Sequence, residues 1–208
     1  MLKLGISFRI TENSSYNEKR DALSHDWPMF LEKINVIPIW IPNLFSNLDM
    51  FLKEIHLDGI ILSGGDNIGE NPERDNTEKT LINFSIEHNL PIIGICRGMQ
   101  VLNEYFGGHH KTLNNSNHIG NEHTIDIQDK IFFELLGSSK LSVNSFHQNV
   151  ITNETLGKNL SPFAFSKNDK TIEGFYHSEL PIIGVMWHPE REKKIFDEKI
   201  FQKIFKKN

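Results

Sequence analysis

The sequence predicts an α/β fold: a doubly wound, mostly parallel sheet flanked by helices, with a small antiparallel extension. Three observations predict it. Through the first half, short continuous apolar runs alternate with helical patterns, as strands covered on both faces require. Between about 109 and 178 the texture turns to short, more polar strands separated by Asn- and Ser-rich turns. A last apolar strand and an amphipathic helix then close the chain, which reads as one domain over 1–208.

The runs "LKLGISF" (2–8), "VIPIWIP" (36–42), "LDGIIL" (57–62) and "LPIIGI" (90–95) read as buried strands. Candidate helices lie between them at about 22–34, 46–55 and 76–88, the last opening at "DNTEK" with capping residues. A further helix begins at Cys96 and stops at Gly107-Gly108, with Met99, Leu102 and Phe106 on one face. "HTIDIQ", "KLSVNSF" and "TIEGFY" are the short strands of the extension, and "LPIIGVMW" (180–187) returns to the sheet. The C-terminal "KKIFDEKIFQKIFKKN" places Ile195, Phe196, Ile200, Phe201, Ile204 and Phe205 on one side of a helix that packs on the sheet.

Composition narrows the function classes. A net charge of −5 lacks the basic balance that nucleic-acid binding wants. The one cysteine cannot form an internal disulfide, no apolar run approaches a membrane span, and "MLKLGISFRI" is too soon charged for a signal peptide. A cytoplasmic protein is the expectation.

That cysteine stands in "LPIIGICRGMQ", as Gly94-Ile95-Cys96-Arg97-Gly98 at a strand-to-helix junction. Gly-x-Cys-x-Gly is the form of a nucleophile elbow, where a sharp strained turn leaves no room for flanking side chains. The turn lifts the sulfur above the sheet, and the helix N-terminus behind it favours a thiolate. The Arg97 N–H lies where an oxyanion would form. "LPIIGVMWHPE" opens with the same five residues and delivers His188-Pro189-Glu190. In an extended segment residues i and i+2 face one way, so Glu190 would sit behind the His188 imidazole and set its tautomer. Both motifs fall at the carboxyl ends of strands, where open α/β sheets bind ligands. "LSGGD" (62–66) reads as a third loop there, its glycines letting backbone approach a ligand.

These motifs, with "VNSFHQ" and "TIEGF" in the same order along nearly the whole chain, resemble the class I glutamine amidotransferase-like family. Within it they are similar to the free-standing hydrolases of γ-glutamyl amides. The resemblance implies Cys96 as nucleophile, His188 as base and then acid, Glu190 as its orienter, and a glutamyl thioester intermediate. It further implies an oxyanion hole from the Gly65 and Arg97 N–H groups, and a glutamyl grip from Gln100 and the loop carrying His147, Gln148 and Asn149. Trp27 stands where many relatives have a tyrosine, able to stack on substrate or merely to pack. No cofactor and no obligatory protein partner are implied.

Arg97 after the cysteine resembles the stand-alone hydrolases more than the ammonia-supplying glutaminase subunits, which are the alternative together with hydrolases of γ-glutamyl polyamines. Its side chain is expected to be exposed beside the sulfur. With Arg9, Lys19, Arg20, Arg74, His109, His110 and Lys111 on loops above the site, it suggests a leaving group carrying phosphate. The histidines His109, His110, His118 and His123 show no metal-ligand spacing and read as a polar loop over the site, with 109–123 a candidate lid.

Overall fold

The computed structural model describes residues 1–43, 46–113 and 118–206; residues 114–117 of the candidate lid and the last two residues of the C-terminal helix pattern lie outside them. The chain opens with strand β1 (Leu2–Ser7), a hairpin of β2 (Arg9–Asn13) and β3 (Glu18–Ala22), helix α1 (Asp26–Lys33) and β4 (Val36–Ile41). There follow α2 (Leu48–Ile55), β5 (Gly59–Leu62), α3 (Pro72–Glu87), β6 (Ile92–Ile95) and α4 (Arg97–Tyr105). The extension holds β7 (Lys111–Thr112), β8 (Ile119–Ile127), α5 (Lys130–Leu136), β9 (Lys140–Phe146), β10 (Asn149–Val150), β11 (Leu160–Ser166) and β12 (Ile172–His177). The chain closes with β13 (Ile182–Val185), α6 (Pro189–Glu192) and α7 (Ile195–Phe205).

Among the described residues the main sheet runs β4-β1-β5-β6-β13-β12-β11-β8-β9. The first five strands are parallel neighbours and the last four add antiparallel. Alternation across the pleat divides the core in two. Leu4, Ile6, Ile61, Ile93, Ile95, Ile183 and Val185 pack with α1, α5 and α7. Ile60, Leu62, Ile92 and Ile182 pack on the other face with α2, α3 and α4. Each such isoleucine or leucine, fully buried, contributes about 1.5–3 kcal/mol.

The two echoing segments are side-by-side strands in matching register: Ile92 beside Ile182, Ile93 beside Ile183, Gly94 beside Gly184. The paired glycines face α4. A Cβ on Gly94 would stand 2.5 Å from the Gly98 carbonyl, and one on Gly184 would stand 2.7 Å from Met99. Missing side chains in two adjacent strands thus let α4 settle on the sheet, which aims its N-terminus at the carboxyl ends of β6 and β13.

Candidate active site

Cys96 sits between β6 and α4 with φ 51° and ψ −105°, a conformation L residues rarely adopt. Its N–H donates to the Val185 carbonyl (2.8 Å), which ties the elbow to β13. On the far side Gly98 presses on β5: a Cβ there would lie 2.2 Å from the Leu62 carbonyl oxygen. Glycine is required at that approach, and the strained turn is held in place from both flanks.

His188 follows β13 and faces the same point. Gly64, at the end of β5, lies against both side chains, since a Cβ on it would meet His188 Cε1 at 2.8 Å and Cys96 Cβ at 3.5 Å. His188 and the Cys96 sulfur are within hydrogen-bonding reach, and His188 Nδ1 lies 2.7 Å from Glu190 Oε1. Burial alone would lower the imidazole pKa; the charge of and hydrogen bond to Cys96, followed by those of Glu190, overcome it and push His188 up to about 10. These partners favour the protonated ring. Glu190 reaches it differently from the extended geometry expected: Pro189 starts the short helix α6, so Glu190 comes from its first turn. The His188 backbone is clamped by Asn144, whose Oδ1 accepts from the His188 N–H (2.8 Å) while its Nδ2 donates to the His188 carbonyl (3.0 Å).

Cys96, 6% exposed, opens into a cavity of about 260 Å³ lined by Gly65, Asn67, Arg97, Gln100, Phe146, His147, Gln148 and Asn149. Three larger clefts, of about 350, 470 and 550 Å³, are lined by none of Cys96, His188 and Glu190. Among the described residues neither the Gly65 nor the Arg97 N–H donates a hydrogen bond, and Arg97 is the first residue of α4, where helix N–H groups lack partners. Gly65 holds φ 130°, and a Cβ there would meet Arg74 Nη1 at 2.8 Å and Arg9 Cβ at 2.9 Å. The arrangement can therefore present a sulfur, a proton carrier and two free amides to one carbonyl group.

The structure corrects several side-chain expectations. Trp27 is 2% exposed in the core against Phe30, away from the cavity, because α1 turns its apolar face to the sheet. The Arg97 guanidinium is buried and paired with Glu78 and Asp75, so it is no exposed cation beside the sulfur. Arg74 is fully buried too; it donates to the Ser63 and Gly64 carbonyls (2.8 and 3.0 Å) and to Glu78 Oε1 (3.0 Å). Together these two arginines bind the 63–65 loop and the elbow to α3. Of the other loop cations, Lys19, Arg20, His110 and Lys111 pair with Glu73, Glu18, Glu104 and Glu154. His109 is exposed. Arg9, exposed beside Gly65, makes no ion pair among the described residues. His147 lines the cavity, yet its Nδ1 faces the Asn149 carbonyl (3.1 Å) and its Nε2 faces Glu173; burial pushes its pKa down to about 4.

Sequence reasoning missed Asn144, Asn67 and Phe146. Phe146 is 41% exposed, meets His188 edge-on at 5.8 Å, and carries the Arg191 guanidinium 3.8 Å over its ring. The signal for Phe146 was its place at the end of "KLSVNSF", at the sheet edge that also carries Cys96.

A family model described as Peptidase C26 matches residues 4–190. The chain is 34% identical to the γ-glutamyl-CDP-amidate hydrolase of Campylobacter jejuni, over 97% of this chain and 96% of that protein. It is 37% identical over 150 residues to one component of the glutamine-hydrolysing GMP synthase of Pyrococcus abyssi, covering 72% of this chain and 74% of that one. A glutamine amidotransferase of Thermotoga maritima shares the fold with a TM-score of 0.69 at 16% identity, over 99% of each chain.

Proposed function

The chain belongs to the Peptidase C26 family, of the class I glutamine amidotransferase-like kind, and from that premise we propose that it hydrolyses a γ-glutamyl amide through a thioester on Cys96. One observation carries the reading: the sulfur stands on a strained elbow within hydrogen-bonding reach of His188, whose Nδ1 is 2.7 Å from Glu190. With the proton on His188, the sulfur attacks the γ-carbonyl carbon. The oxyanion is held by the Gly65 and Arg97 N–H groups, a kind of donor worth roughly 3–4 kcal/mol each in the transition state. The C–N bond breaks as His188 protonates the leaving nitrogen. A water then loses a proton to His188, its oxygen attacks the thioester carbon, and glutamate and the thiol are released. Glu190 keeps the ring in one orientation throughout.

For the substrate we propose γ-glutamyl-CDP-amidate, which would yield L-glutamate and cytidine diphosphoramidate for modification of a capsule polysaccharide. Support comes from the Campylobacter relative, matched along nearly its whole length, and from the cavity mouth. A cavity of about 260 Å³ suits the glutamyl half, gripped by Gln100, Gln148 and Asn149, so the leaving group must extend outward. Two arginines without ion pairs among the described residues, Arg9 and Arg191, flank that exit and offer forks for a diphosphate. The enzyme is expected to work without a protein partner. The test offers the purified chain glutamine, γ-glutamyl polyamines and γ-glutamyl nucleotide amidates, and compares kcat/KM. A large preference for the phosphorylated amidates supports the proposal. Activity on glutamine alone, rising when a synthetase is added, replaces it with an ammonia-supplying role, in keeping with the glutamine-hydrolysing Pyrococcus relative.

A further inference from the structure

Behind the cavity wall, three segments bring His118, His123, His147 and Glu173 together, each of them buried. Glu173 lies in β12 with no exposed surface, and neither of its carboxylate oxygens has a hydrogen-bond partner among the described residues. The Nε2 atoms of His147 and His123 are equally unpartnered. Yet all these atoms point at one another. His118 Nδ1 and His147 Nε2 stand 3.8 and 3.7 Å from Glu173 Oε1, and His123 Nε2 stands 3.4 Å from Oε2.

His123 Nε2 is at the outer limit of a hydrogen bond to Oε2, but the separations of 3.8 and 3.7 Å to Oε1 are too long for hydrogen bonds. They are close to the ligand-to-ligand edge of a tetrahedral zinc site, about 3.3–3.4 Å for bonds of about 2.0–2.1 Å. Outer contacts choose the tautomers. His118 Nε2 faces the Asp169 carboxylate at 2.7 Å and His147 Nδ1 faces the Asn149 carbonyl at 3.1 Å. Both partners only accept, so those nitrogens carry the protons, and in each neutral ring the other nitrogen turns a lone pair inward. Ser145 Oγ, 3.5 Å from His118 Nδ1, donates its proton to the His118 carbonyl (2.8 Å) and so gives Nδ1 none. Lone pairs of two imidazoles and a carboxylate converging in a dry interior repel unless a proton or a metal ion lies among them. Metal-bound histidines characteristically give their other N–H to a carboxylate or a backbone carbonyl, as both rings do here.

We propose that His118 Nδ1, His147 Nε2 and Glu173 Oε1 form a binding site for a divalent transition-metal ion with the ligand preference of zinc, and that His123 holds the second carboxylate oxygen. The three ligand atoms lie within 4.8 Å of one another. The four-histidine run of the sequence thus divides. His118 and His123 enter the cluster, His110 pairs with Glu104, and His109 stays at the surface. The site is structural. It joins the cavity-lining loop 146–149 to β12, and takes no part in the thioester chemistry.

The test measures metal on the full-length protein. Chelator-treated protein is titrated with Zn²⁺ and, separately, with Co²⁺. The proposal expects about one ion per chain, visible Co²⁺ absorption of a nitrogen–oxygen site, and a higher melting temperature with metal. Cys96→Ala must keep all three, which separates this site from the nucleophile. His118→Ala and Glu173→Gln must lose stoichiometric binding while their far-ultraviolet circular dichroism stays native. Should either variant fail to fold, the wild-type and Cys96→Ala titrations decide. No stoichiometric binding by the wild-type chain, retention of the Co²⁺ spectrum in a folded His118→Ala variant, or its loss in Cys96→Ala would each overturn the proposal.

Discussion

Replacing Cys96 by glycine and by alanine separates backbone strain from chemistry. Both variants lose the sulfur and its contact with His188, so both are expected to lack turnover, and they differ only in a Cβ. At φ 51° and ψ −105° that Cβ is what makes the conformation costly, by roughly 1–3 kcal/mol for an L residue outside the common regions. Alanine keeps the strain and glycine relieves it. Against this, glycine gives up about 0.5–1 kcal/mol relative to alanine through the freedom of the unfolded chain. Central values of about 2 and about 0.8 kcal/mol leave about 1 kcal/mol in favour of Cys96→Gly. In a chain of this size that is a melting difference of about 2–4 °C. Urea denaturation of the two variants, read at equal m-values, gives the sign directly. If Cys96→Ala were the more stable by the ordinary 0.5–1 kcal/mol, the elbow would carry no strain, and the account of how the sulfur is lifted from the sheet would be wrong.

Asn144→Ala removes both clamps on the His188 backbone and leaves its N–H and carbonyl buried without partners. A loss of roughly 2–4 kcal/mol in urea denaturation is expected, with kcat falling more than KM changes. Asp197 is a pH sensor of stability. Burial pushes its carboxyl up to about 7 against the lowering hydrogen bonds from Trp187 and Lys194. Its pKa is higher folded than unfolded, so its contribution is whole below about pH 4 and is lost as pH rises through about 7. In melting curves across that window, the wild type should therefore lose stability more steeply than Asp197→Asn; parallel curves would refute the assignment. Arg9→Ala should raise KM for phosphorylated amidates about tenfold and leave glutamine hydrolysis unchanged, as steady-state kinetics on both substrates would show.

The parallel half of the fold was readable because burial on both faces demands uninterrupted apolar runs, and "LKLGIS" or "LPIIGI" can hardly be anything else. The elbow was readable for a related reason: close approach leaves glycine no substitute at positions 94 and 98. What stayed hidden depends on partners distant in sequence. The hairpin β2–β3 pairs residues such as Thr11 with Arg20 and Glu12 with Lys19 at the surface, with no apolar face to give it a period. Arg74 and Arg97 look like solvated charges until α3 supplies Glu78 and Asp75. Trp27 could be assigned to the core only once α1 was seen packed on the sheet. The histidine cluster needs the register of antiparallel β8 and β9, and the place of β12 in the same sheet, to bring residues 118, 123, 147 and 173 together. Helix α5 was the avoidable omission: Asp129 caps its first N–H groups and Gly137 ends it in a left-handed turn, both visible in "QDKIFFELLG".

The account rests on a covalent step at one sulfur. The direct measurement is intact-protein mass after rapid mixing with a γ-glutamyl nucleotide amidate and an acid quench that traps acyl-enzymes. The account predicts a transient gain of one glutamyl group, mapped by peptide analysis to Cys96, absent in Cys96→Ala and discharged on longer incubation. Turnover of the substrate by a chain that never carries this adduct, or an adduct mapped to any other residue, would contradict it.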